Sequence, residues 1–109
     1  MGYDQTLAGR VRKLLHRLEG FSEREMFGGV GFMLHGNMSC GVNGHDLIVR
    51  VGPEAYDHAL SEPHVRVFDM TDRPMRGWVV VDKGGVETDD ALKAWVEKGS
   101  RFARSLPAK

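Results

Sequence analysis

The chain has 109 residues, 41% of them hydrophobic and 28% charged, with fifteen basic residues against fifteen acidic ones. That is enough for one domain around one core and too little for two, so residues 1–109 are read as a single domain. Zero net charge removes the general attraction that marks most nucleic-acid binders, and no run is long or apolar enough for a membrane span. The lone cysteine, Cys40, excludes an intrachain disulfide and suits a reducing compartment, so the expected location is cytoplasmic.

Residues 4–19 predict an amphipathic helix, with Leu7, Val11, Leu14, Leu15 and Leu18 on one stripe. Asp4 is its expected N-cap and Gly20 its stop. Arg10, Arg12, Lys13 and Arg17 lie on or beside the other face, where a solvated helix surface is the default reading.

Three strands follow: Glu25 to Leu34, Met38 to Val42 and Leu47 to Val51. A three-residue loop of His35, Gly36 and Asn37 would pair Leu34 with Met38, Phe32 with Cys40 and Val30 with Val42, all apolar. A turn at Asn43-Gly44 would then set Cys40 against Leu47 and Met38 against Val49, keeping one face apolar across the meander. The other face would carry Gly29, Gly31, Met33, Ser39, Gly41, Ile48 and Arg50. Its glycines permit twist, a docked partner or a small ligand, ranked in that order.

Gly52-Pro53-Glu54 opens a short helix to about Leu60, with Ala55, Ala59 and Leu60 as its inner side. Val65 to Phe68 and Gly77 to Asp82 read as the fourth and fifth strands, with Met70–Met75 a loop between them and Lys83-Gly84-Gly85 a turn after them. The last helix spans residues 88–106. Thr88 is its N-cap, and Leu92, Trp95, Val96, Gly99, Phe102, Ala103 and Leu106 form its stripe.

The chemistry is sparse. Gly28-Gly-Val-Gly31 lies between strand residues and lacks the spacing and following helix of a phosphate loop. His35 and His45 sit at opposite ends of one strand, and His16, His58 and His64 are scattered, so neither a metal site nor a catalytic set is expected, and no cofactor. The loop Arg73-Pro-Met-Arg-Gly-Trp78 places Arg73 and Arg76 beside Trp78, which with Arg50 makes a candidate partner or anion site.

Arg24-Glu-Met-Phe-Gly-Gly-Val-Gly31, Leu47-Ile-Val-Arg-Val51 and Arg73-Pro-Met-Arg-Gly77, with the closing helix, resemble the TfoX N-terminal domain family, named for the TfoX/Sxy regulators of natural competence. Met26, Phe27, Gly28, Gly29 and Gly31 carry the hairpin signature of that resemblance. It implies an α+β fold, α-β(3)-α-β(2)-α in two layers, secretion-chaperone-like, with a five-stranded, mostly antiparallel sheet and helices on one face. In the full regulators a C-terminal domain follows, and they act in transcription of competence genes alongside a cyclic-AMP receptor protein. This chain reads as a stand-alone single-domain member. The expected function is a non-enzymatic regulatory or adaptor domain that binds a protein partner, by resemblance transcription machinery, or a second copy of itself. The alternative is a nucleic-acid-binding module using Arg10, Arg12, Lys13 and Arg17 with Arg50, Arg73 and Arg76. A small enzyme is the third reading.

Overall fold

A computed structural model describes residues 2–26, 28–69 and 74–109. Its centre is a six-stranded antiparallel sheet in the order β1-β2-β3-β4-β6-β5, where β1 is Phe21–Met26, β2 Gly29–Leu34, β3 Asn37–Asn43, β4 Asp46–Arg50, β5 Val65–Val67 and β6 Trp78–Val81. Among the described residues three α-helices accompany it: α1 (Gln5–Leu15), α2 (Tyr56–Leu60) and α3 (Asp89–Ser105). The α+β class holds, with six strands in place of five.

The extra strand comes from splitting the expected Glu25–Leu34 strand. The chain reverses after Met26, and Gly28 adopts φ +77°, a left-handed conformation that glycine takes without steric cost. Met26 then pairs with Gly29 and Phe21 with Leu34. The glycine signature is therefore a hairpin bend and not the middle of a strand. β1 escapes the alternation test because Ser22, Glu23, Arg24 and Glu25 are all exposed. Charges along an edge strand discourage further strand pairing.

The next hairpin also differs in detail. Leu34 pairs with Asn37, leaving a two-residue turn of His35 (φ +52°) and Gly36 (φ +83°). Two positive φ values are what a tight twist-matched hairpin turn needs. Ser39 is then an extra residue, so Met33 faces Met38 while Phe32 still faces Cys40 and Val30 faces Val42. A two-residue turn plus a bulge gives the same pairing beyond Phe32 as a three-residue loop would. The expected Leu34–Met38 pair does not form, and Met38 leaves the core face. The β3–β4 turn falls at Gly44-His45, so Cys40 pairs with Val49 and Val42 with Leu47. The predicted register is displaced by two residues, which preserves which face each side chain takes.

The core lies on the face carrying Val30, Phe32, Cys40, Val42, Leu47, Val49, Val79 and Val81. α1 adds Leu7, Ala8, Val11 and Leu15; α3 adds Leu92, Trp95 and Val96. α2 contributes Tyr56 and Ala59, whereas Ala55, expected inward, is exposed. Fully burying each large side chain contributes about 1.5–3 kcal/mol.

The caps behave as their chemistry predicts. Thr88 accepts from the Ala91 N–H at 3.0 Å. Asp4 accepts from Thr6 and Leu7 N–H at 2.9 and 3.1 Å. The Leu7 bond, followed by the His45 ring, holds the Asp4 carboxyl below the usual aspartate range. A depressed folded-state pKa gives stability that is present above the unfolded value and lost as pH falls through the folded one. Asp4→Ala should therefore cost about 1 kcal/mol at neutral pH. Denaturant titrations of wild type and variant should converge below pH 4; a pH-independent gap would remove the cap from this account.

Candidate functional site

The second face of the sheet carries Gly29, Gly31 and Gly41, together with Ile48, Val80 and Trp78. Methionines cover Gly31 and Gly41. A Cβ on Gly41 would lie 2.8 Å from the Met38 Cε, and one on Gly31 would lie 3.1 Å from the Met26 Cε. Gly41 is further fixed by the Val30 carbonyl oxygen, also 2.8 Å from that Cβ position. The bare floor is thus what lets two long thioethers lie flat on the strands.

Around this floor is an apolar groove of about 410 Å³. β1 and β2 supply Met26, Gly29 and Val30; β3 and β4 supply Met38, Val42, Asn43 and Ile48. Phe68, Met75 and Trp78 form the far wall. The last three are joined by backbone bonds: Met75 N–H donates to the Phe68 carbonyl at 2.9 Å, and Trp78 N–H to the Met75 carbonyl at 3.0 Å. The rings of Phe68 and Trp78 are tilted, with centroids 6.0 Å apart. Met75 is 37% exposed, one of two large apolar side chains that exposed among the described residues. The volume falls within the range of ligand and anchor-side-chain pockets, and Met walls adapt to varied apolar shapes.

Of the predicted site residues, Arg50 and Trp78 do come together. They are cross-strand partners, and the Arg50 guanidinium sits 5.1 Å from the Trp78 ring and 5.4 Å from Phe102 of α3. Arg76 goes elsewhere: it lies 5.3 Å over Tyr56, with Asp57 at 3.8 Å. Met26 and Gly29 line the groove, Gly31 lies under Met26, and Gly28 sits exposed at the hairpin bend. Arg73 and Phe27 lie outside the described residues, as does the Met70–Arg73 part of the expected loop. Sequence reasoning missed Met38 and Phe68. Met38 reaches the groove only because Ser39 bulges, and Phe68 reads simply as the end of a strand.

Two of the α1 cations, Arg10 and Arg12, are drawn into ion pairs. Arg12 donates through Nε and Nη2 to the Glu23 carboxylate, which holds Glu23 below its ordinary range. Arg10 reaches Asp89 at 3.2 Å and the Glu87 carbonyl at 3.3 Å. His45 contacts Asp4 at 3.2 Å and His64 contacts Asp82 at 3.0 Å. Among the described residues no group of three or more His, Cys, Asp or Glu could hold a metal ion. Cys40 is wholly buried, and desolvation pushes its thiol up to about 12. It should resist alkylation by iodoacetamide at pH 8 until the domain unfolds; rapid native labelling, read by intact mass, would contradict its place in the core.

Among the described residues no helix is long and apolar enough to cross a membrane. No curated protein and no solved structure gives a match. One family model does match, and it spans residues 13–103, from α1 through the glycine hairpin and the groove to the last turns of α3. With that coverage, the chain belongs to the TfoX N-terminal domain family.

Proposed function

We propose that this chain is a non-enzymatic, cytoplasmic regulatory domain that works by docking a protein partner on the second face of its sheet. Family membership supports the regulatory role. The observation that carries the docking surface is the apolar groove with its exposed Met75, on the face opposite the helices' core. An exposed apolar concavity of this kind marks an interaction site more often than an accident of packing. By the same resemblance, the process served is transcriptional regulation of the competence type. The nucleic-acid alternative draws less support, because Arg10 and Arg12 already face carboxylates.

Site-specific photo-crosslinking in the source cell tests this reading. A crosslinker at position 75 should capture a recurrent protein that one at position 13, on α1, does not. Equal capture from both positions, or none from position 75, would overturn it.

A further inference from the structure

We infer that the segment docking in the groove is acidic as well as apolar: one or two large apolar side chains beside an Asp or Glu that reaches Arg50. This deepens the docking role proposed above and rests on it. The groove walls are apolar, with Met26, Met38, Ile48 and Trp78 among them. Beside the Trp78 wall, the Arg50 guanidinium lies over the Trp78 and Phe102 rings, at 5.1 and 5.4 Å from their centroids.

Arg50 differs from the four arginines that form ion pairs among the described residues. Arg10, Arg12, Arg66 and Arg76 each have a carboxylate within 4.0 Å, whereas the Arg50 guanidinium lies over two rings and has no ion pair among the described residues. Ring faces offset part of the desolvation of a guanidinium but take up none of the hydrogen bonds of its in-plane N–H donors. Those donors form a planar fork that matches a carboxylate in bidentate fashion. Trp78 links the two features, since it lines the groove and carries Arg50 on its ring. An occupant whose apolar part touches Trp78 brings a neighbouring acid to the guanidinium. A basic occupant would set like charges together, so the site discriminates by repulsion as well as by attraction.

Panning a random dodecapeptide phage library against the intact domain tests this. Enriched peptides should pair a large aliphatic or aromatic residue with Asp or Glu. As synthetic peptides they should shift the Met26, Met38 and Met75 methyl resonances. Their affinity should fall about tenfold in Arg50→Gln, and the loss should be partly recovered in Arg50→Lys, which controls for folding. Enriched apolar peptides that shift those methyls, show no acid preference and ignore Arg50→Gln would overturn the acidic requirement and leave the docking role standing. Peptides that leave all three methyls unmoved, or a library without enrichment, would overturn both.

Discussion

Trp95→Ala is expected to cost about 3–5 kcal/mol, the loss typical of removing a large buried ring. Trp95 is 6% exposed and belongs to the core where α3 meets the sheet. Lys98, one turn on, places its ammonium 5.5 Å from the ring, so the variant also loses a cation–π contact. Against a total stability of about 5–15 kcal/mol for a domain, that loss leaves a marginal fold. Chemical denaturation read by the remaining tryptophan, Trp78, measures it. A loss below about 1 kcal/mol would mean that α3 does not anchor the core through this ring.

The second large effect is expected at Gly99. On helix propensity alone, Gly99→Ala in the interior of α3 should stabilise by roughly 1 kcal/mol. Packing predicts the opposite sign. A Cβ at Gly99 would sit 2.4 Å from the Ser39 carbonyl oxygen, and a backbone oxygen in a sheet has little room to give. The helix crosses the sheet at the bulge, and glycine is what permits the close approach. Forcing a methyl into such a contact costs about 1–3 kcal/mol, which outweighs the propensity gain. Gly99→Val should be worse. If Gly99→Ala raised the unfolding midpoint, the contact with Ser39 would be looser than the geometry states.

These two positions show what the amino-acid order makes legible. The α3 stripe, Trp95 within it and the Thr88 cap follow from a 3.6-residue period and from donor–acceptor chemistry local to the helix. The core face of β2, β3 and β4 follows from alternation, apart from the bulge. Alternation is blind to a register displaced by two, which is why the β3–β4 pairing differs while the buried face does not. It is equally blind to a bulge. Met38 is apolar and suits either face, so nothing in its own chemistry places it in the groove. Gly99 reads as one more small residue on the stripe, because its partner is a carbonyl sixty residues away in sequence. β1 hides for another reason: an edge strand with exposed charges carries no buried alternation to detect.

The glycine ribbon connects fold to function. Its glycines serve two local ends: Gly28 turns the hairpin, while Gly31 and Gly41 make room for Met26 and Met38. The result is an apolar groove on the sheet, with the Arg50 guanidinium lying over one of its wall residues, Trp78. On the proposed docking role, this surface acts through the partner that fits it.

The most direct test of that claim is Met75→Asp, measured for both folding and binding. Met75 lines the groove and is exposed, so the thermal midpoint should stay close to wild type. Affinity for the partner captured from position 75 should fall at least about tenfold, as expected when a charge enters an apolar docking surface. An unchanged midpoint with unchanged affinity would contradict the groove as the docking site.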